Sequence, residues 1–180
     1  MNIRHFLVAL PLAFFLAAPV FAQNTKTPTP TTVKGVEYTL PYPGVLPDHP
    51  VYWLKAIRDR VLDFLIVDPL RKAEFYLLQA DKRLGMGVSL VEKGNSKLAE
   101  ETISKGEKYL WQAVTNLVAV KAGGKEVPKY IIDRLIGSVA KHEEVLTELM
   151  AKTTGPQHEG LKGSLELLRQ TSKELTSLQQ

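Results

Sequence analysis

Apolar residues recur three or four positions apart in five successive segments beyond residue 50, and this spacing predicts five amphipathic α-helices. Residues that end or begin helices separate the segments: Asp68-Pro69, Gly94, Gly123-Gly124 and Gly155-Pro156. No strand-like alternation occurs after residue 51. The pattern therefore predicts an all-α fold, an antiparallel bundle of four to five helices with coiled-coil-like packing.

The apolar stripe of each segment is the predicted core. The first stripe has Lys55, Asp59 and Asp63 opposite it, so we expect this helix to bury its apolar side. Gly87 and Gly106 lie on the next two stripes, where close approach of the backbones is expected; a hinge or groove around residues 85–87 is the alternative. The five stripes are Leu54, Ile57, Val61, Phe64 and Leu65; Leu70, Ala73, Leu77, Ala80, Leu84, Gly87 and Val91; Ala99, Ile103, Gly106, Leu110, Ala113, Leu117 and Val120; Ile132, Leu135, Val139, His142, Leu146 and Leu149; and Leu161, Leu165, Leu168, Ser172 and Leu175.

Residues 1–22 have the layout of a secretory signal peptide. Arg4 precedes an apolar run at positions 6–18, and small residues precede the cleavage site expected after Ala22. Because this run is shorter than the roughly 20 residues needed to span a bilayer, we favour cleavage over an uncleaved membrane anchor. No later segment is apolar enough to span a membrane. We therefore expect a soluble mature chain outside the cytoplasm, either secreted or periplasmic.

The mature chain divides into a spacer and one domain. Residues 23–36 are rich in Thr and Pro and nearly devoid of apolar side chains, which predicts a disordered spacer. Residues 37–180 form the predicted single helical domain. Within it, residues 37–50 form an extended Pro-rich arm that precedes the helices.

The arm combines prolines, which prevent a helix, with large apolar side chains. Extended backbone presents several of these side chains, among them Tyr38, Leu40, Tyr42 and Leu46, to one side. We expect the arm to lie across the bundle against the first helix near Trp53 and against a neighbouring helix. A free Pro-rich ligand for a partner is the alternative interpretation.

Composition excludes several classes of protein. The chain of 180 residues has no cysteine, which rules out disulfides, thiolate metal sites and a cysteine nucleophile. Its 23 basic and 19 acidic residues give a net charge of +4, and loss of Arg4 with the signal peptide would leave +3. This charge is small and interspersed with acidic residues, so no nucleic-acid partner is expected.

The residues that carry catalytic or metal chemistry do not form a recognisable set. His142 lies on an apolar stripe without the second His of an HExxH motif, so a buried, hydrogen-bonded histidine is the favoured interpretation. A metal site would require His158 or nearby carboxylates to join His142. No nucleophile elbow, phosphate loop or dinucleotide fingerprint is present. We therefore expect no catalytic residue and no cofactor.

Two stretches resemble the DUF5667 family. Residues 46–55, in which a proline and an aromatic residue precede Leu54-Lys55, resemble its opening, and residues 68–84 resemble the pattern of its second helix. This similarity spans approximately residues 38–94, and residues 51–94 form the DUF5667-like helices. Residues 140–146 resemble a KHxEVL stretch of extended members, within the C-terminal helices of residues 95–180. Gly85-Met86 stands where the family often has an acidic residue.

The resemblance implies a helical, often extracytoplasmic module of unknown function. Its marker residues are candidates for structural ion pairs or for binding, and they are Lys55, Asp59, Asp68, Arg71, Glu74 and Arg83. Asp68 is also predicted, from its position before Pro69, to cap the second helix. A set of aromatic residues forms a candidate partner patch: Tyr38, Tyr42, Tyr52, Trp53 and Trp111.

The sequence favours an exported, non-enzymatic helical interaction or structural module whose partner is an unidentified protein or envelope component. One alternative is a metal-dependent envelope sensor around His142. A second is a binder similar to the Spy-type periplasmic chaperones, because residues 175–179 fit one copy of their LTxxQ motif. A third is an enzyme whose carboxylate or histidine pair assembles only in the folded chain.

Overall fold

The computed structural model describes residues 35–179, so the predicted signal peptide and residues 23–34 of the predicted spacer lie outside the described part. The described residues contain five α-helices and no strand, which confirms the predicted all-α bundle. The helices are α1 Tyr52–Leu65, α2 Pro69–Glu92, α3 Ser96–Ala122, α4 Lys129–Ala151 and α5 Gly155–Gln179. None of them is long and apolar enough to cross a membrane.

Helices α2 to α5 surround one core. α2 packs against α3 and α4, and α5 packs against the other side of the same two helices. α2 and α3 run antiparallel, since the Tyr76 ring lies near the Tyr109 ring and Gly87 lies beside Ile103. α3 and α5 run parallel, since Lys121 in the last turn of α3 donates to the Leu178 carbonyl in the last turn of α5, and α2 and α4 run parallel, since Glu74 pairs with Tyr130 and Asp81 with Ser138. The largest fully buried side chains are Leu77, Leu84, Met86, Leu90, Ile103, Leu110, Leu117, Ile131, Leu135, Leu146, Leu161 and Leu168.

The helix boundaries follow the caps that the sequence predicts. The Asp68 carboxylate accepts a hydrogen bond from the Arg71 amide at 2.8 Å, directly before a proline in the first turn of α2. Gly94 ends α2 with a φ of +79°, a conformation that favours glycine. Asn95 then caps α3 by accepting from the Leu98 amide. These local contacts fix where the bundle helices begin and end.

Two glycines allow α2 and α3 to approach closely, as predicted. A Cβ atom on Gly87 would overlap the Ile103 side chain, and one on Gly106 would lie 3.1 Å from the Arg83 Cβ. Both glycines are buried in uninterrupted helices. The close approach, rather than a hinge around residues 85–87, therefore explains the glycines on the two stripes.

Helix α1 contradicts its sequence prediction, because its apolar stripe faces outward. Five side chains on this stripe are at least half exposed, with Phe64 at 83%. The polar side faces the bundle instead, and Asp59 is only 5% exposed. The four other helices already enclose the core, so burial of α1's apolar side is not needed to complete it. The exposed stripe comprises Leu54, Ile57, Val61, Phe64 and Leu65.

The Pro-rich arm packs on the bundle, but along α2 and α4 rather than against α1 near Trp53. The Val36 amide donates to Glu144 of α4 at 2.9 Å, and the Tyr38 ring lies against Gly137 of the same helix. Further along, Pro43 lies over Gly85 of α2, where a Cβ atom would be 3.7 Å from it. Tyr38 can reach the seam because α2 and α4 are neighbours, whereas α1 lies away from it.

The Asp68 cap should contribute measurably to stability. We expect Asp68→Ala to lower the free energy of unfolding by about 0.5–2 kcal/mol, because a helix N-terminus loses its side-chain acceptor. Asp133→Ala is the control, since Asp133 forms an exposed i,i+4 pair with Lys129 and such pairs contribute about 0.3–0.5 kcal/mol. Urea denaturation measures both variants. Equal midpoints for Asp68→Ala and the parent chain would contradict the cap.

Gly137 should be required for docking of the arm. A Cβ atom there would lie 2.5 Å from a Tyr38 ring carbon. We expect Gly137→Ala to destabilise the chain by about 1–3 kcal/mol through overpacking. Gly163→Ala on α5 meets no atom within 4 Å and should be neutral or stabilising by up to about 1 kcal/mol. Equal effects of the two substitutions on the denaturation midpoint would refute arm docking at this position.

Candidate functional site

A buried ionic cluster joins three helices at the centre of the bundle. His142 of α4 is 0% exposed, and its two ring nitrogens face carboxylates on different helices. Nδ1 lies 2.7 Å from Glu107 Oε1 of α3, and Nε2 lies 3.3 Å from Asp81 Oδ1 of α2. One side chain therefore ties α4 to both α2 and α3.

Asp81 extends this cluster to the arm. Its Oδ1 also accepts from the Ser138 hydroxyl at 2.6 Å, and its Oδ2 accepts from the Tyr38 hydroxyl at 2.7 Å. Burial raises the pKa of Tyr38, and the charge of Asp81 raises it further. Tyr38 thus remains a neutral donor, and the arm is bonded to the central cluster through Asp81.

Electrostatics favour the imidazolium form of His142. Burial lowers its pKa, but the charge of Glu107 and hydrogen bonds to Asp81 and Glu107 outweigh burial and raise the pKa from 6.5 to about 10. The protonated ring donates from both nitrogens, which is the arrangement that two flanking carboxylates require. The cluster is therefore a structural ion pair at neutral pH, and His142 has no unprotonated nitrogen to act as a base or a metal ligand.

The two candidate metal ligands do not come together. His158 Nδ1 lies 3.1 Å from the Met150 carbonyl oxygen, whereas His142 lies inside the ionic cluster. Within residues 35–179, no group of three or more His, Asp or Glu side chains is placed to hold a metal ion. The geometry around His142 is that of a protonated histidine between two carboxylates.

The family-marker residues of α1 form a second charged contact, within α1 and on the side of the helix that faces the bundle. Asp59 accepts from Lys55 at 3.2 Å and from Arg58 at 2.7 Å. Burial lowers the pKa of Lys55. Burial acts in the opposite direction on Asp59, but the bonds from Arg58 and Lys55 hold the pKa of Asp59 below its ordinary value. This contact pairs the buried Asp59 within α1, and the ion pair that joins α1 to the bundle is the one between Asp63 and Lys72 of α2, at 3.6 Å.

The other marker residues have separate roles. Arg83 is buried and donates to the Gln79 side chain at 2.6 Å, with its guanidinium 4.3 Å from the centre of the Tyr109 ring. Glu74 accepts from the Tyr130 hydroxyl at 2.6 Å. Among residues 35–179, neither Arg71 nor Glu74 nor Arg83 forms an ion pair. The ion-pair interpretation therefore applies to Lys55 and Asp59 only.

The aromatic residues of the candidate partner patch are not one surface. Tyr38 is bonded inside the arm–bundle contact, and Trp111 is half-buried on α3. Tyr52, the first residue of α1, is half-buried, and the Lys55 ammonium lies 5.5 Å from the centre of its ring. Tyr42 and Trp53 are exposed, but Tyr42 is on the arm and Trp53 on α1. Of the five, only Trp53 belongs to the exposed apolar face of α1.

This exposed face, named here the α1 face, is the largest apolar surface that a single helix presents in the described chain. Its side chains cover about a third of the helix circumference at 3.6 residues per turn. Arg58 and Arg60 lie at its two edges by the same geometry, and both are exposed. The α1 face comprises Trp53, Leu54, Ile57, Val61, Phe64 and Leu65.

Three members of the ionic cluster escaped the sequence prediction. Asp81 and Glu107 follow stripe residues directly, positions that a helical pattern assigns to the edge of the core. Ser138 directly precedes the stripe residue Val139, and a helical pattern assigns this position also to the edge of the core. The available signal was His142 itself, because a histidine on an apolar stripe requires a partner for its buried polar atoms.

His142 should make stability depend on pH. Because its folded pKa of about 10 exceeds 6.5, its contribution is complete below pH 6.5 and is lost as pH rises through about 10. We expect His142→Gln to cost about 3–5 kcal/mol at neutral pH, since two carboxylates lose their buried cation. The difference from the parent chain should shrink between neutral pH and pH 10. Urea denaturation at a series of pH values measures it.

His158→Gln is the matched control, because His158 makes a single hydrogen bond outside the central cluster. It should lower stability far less and leave the pH profile of the parent chain intact. A His142→Gln variant whose stability follows the same pH profile as the parent chain would refute the buried imidazolium.

Comparison with known proteins places the chain in a family. The profile described as "Domain of unknown function (DUF5667)" matches residues 44–156. The match includes α1 to α4 in full and is longer than the similarity read from the sequence, which ended near residue 94. No curated protein and no solved structure matches the chain. Since the matched residues make up more than half of the sequence, the chain belongs to the DUF5667 family.

Proposed function

We propose that the protein is an exported, non-enzymatic helical module that binds an envelope component through the α1 face. The observation that carries the proposal is the orientation of α1, which buries ions and exposes apolar side chains. Trp53 at 58% and Phe64 at 83% exposure leave large apolar areas in water, and apolar patches of this kind mark interaction sites. An interaction module needs such a surface, and a self-contained bundle does not.

The state of the buried ionisable groups supports a non-enzymatic role. Both ring nitrogens of His142 are engaged, and Asp81 accepts from Ser138 and Tyr38 in addition to His142. The cleft beside the arm, about 350 Å³ in volume, has Asp81 and Tyr38 in its wall, and the hydrogen bond between them occupies Asp81 Oδ2. A general base needs an unpaired basic atom that faces its substrate, and this cleft offers none from the cluster.

Export is proposed from the sequence. The first 22 residues have a basic start, a short apolar run and small residues before the expected cleavage site. The absence of cysteine is compatible with any redox compartment. Mass spectrometry of the chain isolated from its native envelope should therefore give a first residue of Gln23.

The alternatives have weaker support. A metal sensor around His142 would have to break a buried ion pair before a metal could bind. A chaperone-like binder would use the LTxxQ stretch, yet Leu175 and Leu178 of that stretch are buried on α5. The α1 face requires no such rearrangement, and it is the basis of the favoured proposal.

A binding comparison tests the role of the α1 face. The chain from Gln23 onward is immobilised and incubated with envelope particles from the native host, and the retained phospholipid and protein are quantified. The double variant Ile57→Ser/Phe64→Ser should lose retention, because it places two hydroxyl groups in the apolar face. Ile136→Ser on α4, also at an exposed apolar residue, should retain particles as the parent chain does.

All three substitutions are at exposed positions, and matched melting temperatures verify that the two variants fold. Equal retention of envelope particles by all three chains would overturn the proposed function. Loss of retention in Ile136→Ser alone would show that the contact surface is on α4, and this result would also overturn the proposed function.

A further inference from the structure

The α1 face has the dimensions of an interfacial helix. α1 has 14 residues and is therefore about 20 Å long at 1.5 Å per residue. Exposed apolar residues extend beyond both ends, with Val51 before the helix and Val67, 88% exposed, after it. The apolar surface is thus continuous along the whole helix, and a partner that covers it must be at least as long.

The shape of the α1 face favours a flat partner over a helix. α1 does not pack extensively against any other helix of the described chain, so no second helix stands beside it to form a groove. A helical partner is normally recognised when its apolar stripe lies in a groove of the receptor, and α1 alone forms no such groove. A single convex helix with an apolar arc of about 120° fits the planar boundary between lipid headgroups and acyl chains.

The charges at the border of the face argue against a second copy of this chain. Arg58 and Arg60 flank the apolar arc on opposite edges. The two acidic residues of α1 are on its polar side, where Asp59 is bonded to Lys55 and Asp63 lies 3.6 Å from Lys72. A symmetric pairing of two α1 faces would therefore offer Arg60 no carboxylate from α1, since Asp59 is already bonded to Lys55 and Arg58.

The side-chain types complete the argument for a lipid surface. Trp53 and Phe64 lie on the same edge of the arc, next to Arg60. Aromatic rings at headgroup level and arginines that reach toward phosphates are typical of helices that lie in a membrane interface. The polar side of α1 faces the protein's own bundle, where Asp59 is 5% exposed and Asp63 lies 3.6 Å from Lys72 of α2.

We infer that the α1 face docks on an anionic lipid bilayer, with its apolar side chains at the headgroup–acyl boundary and Arg60 at the lipid phosphates. This inference rests on the proposed function and names the occupant of its surface. The chain then lies on the membrane through α1 without a spanning helix. The bundle and the Pro-rich arm remain on the aqueous side.

Vesicle binding by the chain from Gln23 onward tests the inference. The vesicles are phosphatidylcholine alone or phosphatidylcholine mixed with phosphatidylglycerol, and binding is measured by co-sedimentation. In a Trp111→Phe background Trp53 is the one remaining tryptophan, so its emission reports insertion of the face directly. We expect binding to the mixed vesicles, a blue shift of Trp53 emission, and loss of binding as salt increases.

Variants assign the binding to the face. Ile57→Ser/Phe64→Ser should weaken binding to mixed vesicles by at least about tenfold, because burial of both side chains is lost. Arg60→Gln should weaken binding to mixed vesicles and leave the small binding to phosphatidylcholine unchanged. Ile136→Ser should bind as the parent chain does.

Failure of the parent chain to bind mixed vesicles would overturn the lipid inference. If the face variants still lost retention of native envelope particles, the proposed function would survive with a protein as partner. Concentration-dependent dimerisation abolished by Ile57→Ser/Phe64→Ser would identify a second copy as the occupant and would also overturn the inference. If Ile57→Ser/Phe64→Ser kept both vesicle binding and particle retention, both proposals would be overturned.

Discussion

The structure depends on the buried ionic cluster, in which His142 lies between the carboxylates of Asp81 and Glu107. Three of the four bundle helices contribute to it, and Tyr38 joins the arm through the same aspartate. Burial of an ionic group is costly unless its partners are in place, so the cluster tolerates only one relative placement of these helices. The surrounding leucines contribute area, whereas the cluster specifies register.

The same constraint explains why α1 is free to face outward. The bundle of α2 to α5 is closed by its own apolar stripes and its central ions, and it does not require a fifth helix for its core. α1 is instead joined to α2 by a surface ion pair, in which Lys72 lies 3.6 Å from Asp63, and its buried Asp59 is paired within α1 with Lys55 and Arg58. A helix attached by its polar side presents its apolar side to whatever lies outside the protein.

The sequence predicted the parts of the fold that depend on local pattern. Glycines, prolines and caps marked the helix boundaries correctly, since a cap such as Asp68 acts within its own turn. The stripes of α2 to α5 indicated the core because only one face of each helix is apolar enough to enter it, although on α5 Thr171 is buried in place of the predicted Ser172, which is exposed. For α1 the same reasoning failed. Amphipathicity shows that a helix has two faces, and it does not show which of them meets the protein.

The remaining features depend on contacts between distant residues. Asp81 and Glu107 are ordinary charges at the edge of their stripes until α4 brings His142 between them. The arm's aromatic residues predicted packing, yet its position on α2 and α4 follows from Gly137, which leaves room for the Tyr38 ring. Short connections predicted antiparallel consecutive helices and contained no information about the parallel contacts of α2 with α4 and α3 with α5.

Membrane docking through the α1 face can be measured directly at two positions of the chain. The chain contains no cysteine, so Phe64→Cys and Ile136→Cys each introduce a single reactive thiol. The labelling rate of each thiol with a water-soluble maleimide is measured without vesicles and with vesicles that contain phosphatidylglycerol. We expect vesicles to slow labelling at position 64 severalfold and to leave labelling at position 136 unchanged, because docking removes the α1 face from water. Labelling at position 64 that stays as fast with vesicles as without them would contradict docking through the α1 face.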